Sequence, residues 1–168
     1  MESENLTAIA ERFGFDEWRG KSRDGAAATL HEIAIPDGTI AGLGPARIRV
    51  IALDDGTTLH RATWQAEGGE GVNRLDLREC GSVEKAHEVL LELLANMQSP
   101  LVERLGGDHG VGDVAFAQDP STSVVFARAN VAAKVDVAPD GAFRALDTAR
   151  AVDEWLAGSA RPTGETMA

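Results

Sequence analysis

The stretch that decides the fold is residues 46–66, ARIRVIALDDGTTLHRATWQA. The apolar positions of its first part are Ile48, Val50, Ile51 and Leu53. Its second part alternates His60, Ala62 and Trp64 with Leu59, Arg61 and Thr63, the period of a strand. Between the two parts stands Asp54-Asp55-Gly56, and Asp-Gly between two such runs is a strong hairpin signal. The sequence therefore predicts antiparallel strands over residues 46–53 and 57–66.

A third strand and the longest helix follow this hairpin. Residues 73–80 alternate leucine with charged side chains, which predicts another strand. Ser82 is a favourable N-cap for a helix from Val83 to about Gln98. Pro100 limits that helix, because the residue before a proline avoids the helical region.

The same order of elements occurs again over residues 113–157. Strands are predicted at 113–117, 122–129 and 131–137, and a helix at 144–157. Strands that come in runs before each helix favour an antiparallel sheet over a parallel α/β fold. We therefore expect an α+β fold, with an antiparallel sheet of about six strands and two main helices on one face.

A short N-terminal helix and a polar tail complete the predicted organisation. The apolar stripe of that helix is Leu6, Ile9, Ala10 and Phe13. Phe15 and Trp18 lie in the connector after it, where they either pack as anchors, which is favoured, or form an exposed contact site. The 168 residues fit one domain, residues 1–158, followed by a flexible C-terminal tail, residues 159–168.

The charge balance limits the classes of partner. Sixteen basic and 27 acidic side chains give a net charge of −11. This argues against nucleic acid or an anionic membrane as a general partner, because both bind mainly through Lys and Arg. The first strand-rich region could still form a local basic patch from Arg47, Arg49, Arg61, Arg74 and Arg78. The favoured alternative is a solvated sheet face in which carboxylates balance these arginines.

The expected location is the cytoplasm of a bacterium, and export stays an alternative if the sequence is a trimmed form of a longer chain. No apolar run approaches the roughly 20 residues of a membrane span. The first five residues are acidic and lack the order of a signal peptide. The single cysteine, Cys80, cannot form an internal disulfide.

No motif specifies a catalytic, metal or cofactor site. The glycine-rich segment 106–112 follows a helix and precedes a strand, which is the wrong order for a dinucleotide fingerprint. Asp108, His109 and Asp113 lack the ligand spacing of a zinc site. Cys80 precedes a helix whose positive end could lower its pKa, and His60 or His109 could approach it, but a small buried side chain is the favoured interpretation. No catalytic residue, metal or cofactor is predicted.

The candidate binding residues are Trp18, His60, Arg61, Cys80 and His109. The leading hypothesis is a non-catalytic interaction or ligand-binding module, which binds a protein partner or forms a homo-oligomer through an exposed strand edge or the connector after the first helix. One alternative is a small enzyme or small-molecule binder with its site between sheet and helices. Another is an acidic inhibitor or nucleic-acid mimic, which the net charge alone suggests.

Part of the second half resembles a pattern in uncharacterised bacterial modules, many of them exported or attached to lipoproteins. The residues that carry it are Gly112-Asp113-Val114-Ala115-Phe116 and Arg128-Ala129-Asn130-Val131. The resemblance covers about residues 105–157 and implies a non-enzymatic binding or accessory role without catalytic residues. This chain departs from the pattern by lacking an export signal and by carrying Ala129 where glycine would ease the turn.

Overall fold

The computed structural model describes residues 2–20, 28–29, 47–65, 72–97, 101–105, 111–119, 122–137, 144–159 and 161–162. The helices and strands of this part, in chain order, are α1 (Glu2–Phe13), α2 (Phe15–Trp18), β1 (Ala28–Thr29), β2 (Arg47–Ala52), β3 (Thr58–Gln65), β4 (Val72–Glu79), α3 (Val83–Met97), β5 (Glu103–Leu105), β6 (Val114–Asp119), β7 (Ser123–Arg128), β8 (Val131–Asp136), α4 (Ala145–Ser159) and β9 (Arg161–Pro162).

Seven strands form one sheet in the order β2-β3-β4-β8-β7-β6-β5, and all neighbours in it are antiparallel. The two predicted runs of strands meet where β4 pairs with β8. The α+β class and the antiparallel sheet are therefore confirmed, with seven strands where about six were expected.

A second, two-stranded sheet joins β1 to β9. It contains Arg161 and Pro162 from the segment predicted as a tail. The apolar residues Leu30, Ile33 and Ile35 predict a further strand over residues 26–35, and most of that segment and the rest of the tail lie outside the described residues.

The predicted hairpin joins β2 to β3. Gly56 has a φ of 85°, a conformation that glycine adopts without strain. The Asp55 carboxylate accepts hydrogen bonds from the backbone N–H and the hydroxyl of Thr57, at 3.0 and 2.6 Å. Asp-Gly thus favours this turn for two reasons: Gly56 adopts the positive φ, and the Asp55 carboxylate accepts two hydrogen bonds from Thr57.

The two main helices lie on opposite faces of the sheet, so the prediction that both cover one face is wrong. Successive side chains of a strand point to opposite faces. On β7, Phe126 packs in the same apolar cluster as α4, whereas its neighbour Val125 packs in the cluster that contains α3. The strands β7 and β8 are consequently buried on both faces, which explains their near-continuous apolar sequences.

The helices α1 and α2 complete the layer on the α3 side. The rings of Phe13 and Trp18 lie 5.2 and 5.6 Å from the ring of Phe116. The Trp18 indole N–H donates to the Phe13 carbonyl at 3.0 Å, so its polar atom is satisfied inside the core. The N-terminal helix is therefore part of the core.

The turn between β7 and β8 is built around the residues that carry the resemblance to bacterial modules. Ala129 has a φ of 52°, which confirms that this position suits glycine. Its backbone N–H donates to the Asp113 carboxylate at 2.8 Å, and the Asp113 N–H donates to the Ala127 carbonyl at 2.6 Å. Gly112, with a φ of 61°, lets these two segments approach closely.

Two further contacts hold the turn to its surroundings. The Arg128 guanidinium forms two hydrogen bonds with the Asp153 carboxylate of α4, at 2.7 and 2.8 Å, and both side chains are almost fully buried. The Asn130 side-chain amide donates to the Cys80 carbonyl at 2.8 Å. The Gly-Asp and Arg-x-Asn-Val residues of the resemblance therefore have structural roles in this chain.

Replacement of Gly112 by alanine should destabilise the protein by about 2–4 kcal/mol. A Cβ atom there would lie 2.5 Å from the Ala127 carbonyl oxygen, in addition to the strain of positive φ. Gly56→Ala is the matched control, because Gly56 also has positive φ but an added Cβ would meet nothing within 4 Å, so it should lose only about 1 kcal/mol. Urea unfolding of both variants checks this, and equal losses would refute the role of close approach.

Candidate interaction surface

Among the described strands, β2 forms one edge of the seven-stranded sheet and pairs only with β3. It runs in regular register over six residues and contains neither proline nor lysine. The opposite edge, β5, is only three residues long. Proteins commonly protect sheet edges with short strands, prolines, bulges or lysines. Brevity protects β5, whereas the six-residue β2 has only its charged side chains, Arg47 and Arg49, as a protective feature.

The hairpin geometry identifies the backbone groups of β2 that point away from the sheet. The Leu53 N–H donates to the Thr57 carbonyl at 2.9 Å, and the Leu53 carbonyl accepts from the Gly56 N–H at 3.1 Å, so Leu53 directs both backbone groups to the β3 side of the hairpin. Hydrogen-bonded and non-hydrogen-bonded pairs alternate along an antiparallel ladder. It follows that Ile48, Val50 and Ala52 direct their N–H and C=O groups to the open edge. The other residues of β2 direct theirs to β3.

One face of this end of the sheet is rich in cations. We define the arginine face as the side that carries Arg47, Arg49, Arg61, Arg74, Arg78 and Lys134. The strand positions of the same side also carry two aspartates, Asp76 and Asp136. The five predicted arginines thus share one face, and it is the face that α3 covers farther along the sheet.

Carboxylates pair the arginines of the inner strands but not those of β2. Arg61 donates two hydrogen bonds to Asp76, at 2.8 and 3.2 Å, and these bonds raise its pKa. Arg49 lies directly opposite Arg61, where two like charges destabilise a sheet. Among the described residues, neither Arg47 nor Arg49 has a carboxylate partner, and both are exposed. The edge therefore carries uncompensated positive charge although the chain is acidic.

The other face of β2 is apolar and exposed. Ile48 and Val50 are 44% and 60% exposed, and both are among the large exposed hydrophobic residues of the described chain. Ile48 pairs with the fully buried Ala62, which in turn pairs with Leu75. The apolar layer of the core thus continues to the edge, but α4 packs on β7 and β8 and leaves β2 uncovered.

The sequence-predicted binding residues do not form one site. Trp18 is buried, so its indole offers no surface contact. Arg61 lies on the arginine face, whereas His60 points to the opposite side, where its Nε2 lies 3.6 Å from a Glu79 carboxylate oxygen. Cys80 packs on the α3 side with Ala132. His109 lies outside the described residues.

The proposed reactivity of Cys80 has no support in its surroundings. Burial raises the pKa of the thiol to about 11, whereas a nucleophilic cysteine needs a lowered pKa. Its Sγ lies 3.4 Å from the Arg78 carbonyl. Because successive side chains point to opposite faces, His60 and Cys80 cannot act as a base and its nucleophile.

Other features of the described residues do not assemble a chemical site. A groove of about 490 Å³ lies beside α1 and α2, and its charged lining residues are Glu11, Asp16 and Glu17. The described residues contain no group of three or more side chains able to hold a metal ion. No helix among them is long and apolar enough to cross a membrane.

Ile48 and Val50 are the site residues that sequence reasoning missed, because an apolar residue of a strand shows the same pattern whether the folded protein buries or exposes it. The position of β2 at an edge depends on the pairing of β4 with β8, which no local pattern in the chain reveals. The alternation Arg47-Ile48-Arg49-Val50 was the available signal, since charged side chains are common on edge strands.

Comparisons of this chain with family models, with curated proteins and with solved structures find no match. The resemblance of residues 105–157 to bacterial modules therefore stays a prediction.

One buried titratable group holds α2 against α3. His87 is fully buried, and its Nδ1 accepts a hydrogen bond from the Gly20 N–H at 2.8 Å. Desolvation lowers the pKa of this imidazole, and the negative charges of Asp113 and Glu84 act against that shift. The folded protein therefore favours neutral His87, because a protonated Nδ1 could not accept the bond.

We expect this contact to weaken stability at mildly acidic pH. As the pH falls below about 6.5, the unfolded chain binds a proton at His87 before the folded protein does, so the free energy of unfolding decreases. In His87→Gln the amide oxygen can accept the same bond without titrating. Denaturant unfolding between pH 7 and 5.5 should therefore show a smaller slope for the variant. An unchanged slope would contradict the assignment.

Proposed function

We propose that this protein is a non-catalytic interaction module that binds an extended segment of a partner protein by strand addition at β2. The observation that carries the proposal is the set of outward backbone groups at Ile48, Val50 and Ala52, on a six-residue edge strand without proline, lysine or bulge. An added strand would take up these donors and acceptors.

The energetics favour this use of the edge. Three residues offer three N–H and three C=O groups, and each hydrogen bond contributes roughly 0.5–1.5 kcal/mol net. Side chains of an added strand would also cover the exposed Ile48 and Val50. Burial of apolar surface contributes about 25 cal/mol per Å². Backbone pairing would supply affinity, and side-chain contacts on the two faces would supply specificity.

The proposal predicts that Val50→Pro abolishes strand addition without unfolding the protein. Proline removes an outward N–H, and edge strands tolerate proline where the N–H faces solvent. The probe is a fluorescein-labelled eight-residue peptide of alternating glutamine and valine, titrated with protein and followed by fluorescence anisotropy. We expect at least about tenfold weaker binding, because one bond is lost and the proline ring disturbs its neighbours.

Val50→Thr is the matched control, because threonine keeps the β-branched shape and the outward N–H. Its affinity should stay within about threefold of the wild type. Circular dichroism verifies that both variants are folded. A folded Val50→Pro variant that binds the peptide as tightly as the wild type would exclude strand addition at this edge.

A further inference from the structure

We infer that the segment bound at β2 alternates acidic and apolar residues, with its acidic side chains on the arginine face. This inference rests on the proposed strand addition and adds the chemistry of the partner. It follows from the two different faces of β2, since a strand added to an edge places alternate side chains beside each face.

The charge on the arginine face selects the acidic side chains. Arg47 and Arg49 are exposed and have no carboxylate partner among the described residues. The Asp76 carboxylate is bound to Arg61, and Arg49 lies opposite Arg61 without a carboxylate of its own among the described residues. A carboxylate on an added strand would lie at cross-strand distance from Arg49, where opposite charges stabilise a sheet.

The other face selects apolar side chains at the alternate positions. Ile48 extends the row of Ala62 and Leu75 to the edge, Val50 lies opposite His60, and no described helix covers either side chain. Apolar residues of the added strand would lie beside these two side chains and continue the same layer. Polar residues there would gain nothing from burial.

A second copy of this chain fits the edge less well. Antiparallel pairing of two β2 strands must bring outward-facing residues opposite one another, so only some registers are available. The register centred on Arg49 places the two Arg49 side chains directly opposite, in the closest type of pair. The register centred on Val50 places Arg49 opposite Ile51. These two registers pair the most residues of β2, and neither brings a carboxylate to an arginine, so charge complementarity favours a different, acidic segment.

The experiment uses three labelled eight-residue peptides in which valine alternates with glutamate, glutamine or lysine. The glutamate peptide should bind roughly fivefold tighter than the glutamine peptide, and the lysine peptide most weakly, because exposed ion pairs have modest strength. Raising sodium chloride from 50 to 500 mM should remove the advantage of glutamate and leave glutamine binding unchanged.

Two double variants test whether the preference for the glutamate peptide depends on the arginines of β2. In Arg47→Gln/Arg49→Gln, the glutamate and glutamine peptides should bind equally, at the affinity of the wild type for glutamine. The matched control, Arg104→Gln/Arg150→Gln, makes the same change of net charge at half-exposed arginines of β5 and α4 and should keep the preference.

The outcomes separate the two proposals. Binding of all three peptides with equal affinity would overturn the acidic partner while keeping strand addition. Binding of none would overturn both. Competition by a single-stranded oligonucleotide as strong as that by the glutamate peptide would show an anion site for nucleic acid instead. A concentration-dependent dimer in sedimentation, lost in Val50→Pro, would identify a second copy as the occupant.

Discussion

The burial of β7 and β8 on both faces is the constraint on which the rest of the structure depends. Both main helices pack against these two strands from opposite sides, so the helical cover is concentrated over the middle of the sheet. The buried ion pair of Arg128 and Asp153 holds α4 in that position. Such a pair is costly to break, because removal of one partner leaves an unpaired charge in the core.

The open edge follows from this arrangement. Since α4 packs on β7 and β8, β2 at the far end keeps the exposed apolar side chains of Ile48 and Val50. On the other side, α3 packs mainly on the same two strands, and charged side chains occupy the positions of β2, β3 and β4. One sheet thus combines a core that is buried on both faces with an edge that exposes two chemically different faces. A strand added at β2, as proposed, would place its alternate side chains beside these two faces.

Local features of the fold could be predicted from the sequence, and long-range ones could not. The Asp55-Gly56 turn and the helix after Ser82 depend on residues near each other in the chain, and the structure contains both. The prediction that both helices cover one face is wrong, and the available signal against it was the near-continuous apolar sequence of β7 and β8, which is typical of strands buried on both faces. The edge position of β2 depends on the pairing of β4 with β8. These two strands are far apart in the sequence, so no pattern of neighbouring residues predicts that they pair. The burial of Trp18, which was favoured as an anchor, follows from its size and position in the connector.

The central claim, that β2 presents free backbone groups for an added strand, can be measured directly by amide hydrogen exchange of individual residues. In the free protein, the N–H groups of Ile48, Val50 and Ala52 should exchange quickly, whereas those of Arg49 and Ile51 should be protected by β3. Addition of the glutamate–valine peptide should slow exchange at the first three residues and leave the other two unchanged. Uniform protection along β2 in the free protein, or no change on addition of the peptide, would contradict the account.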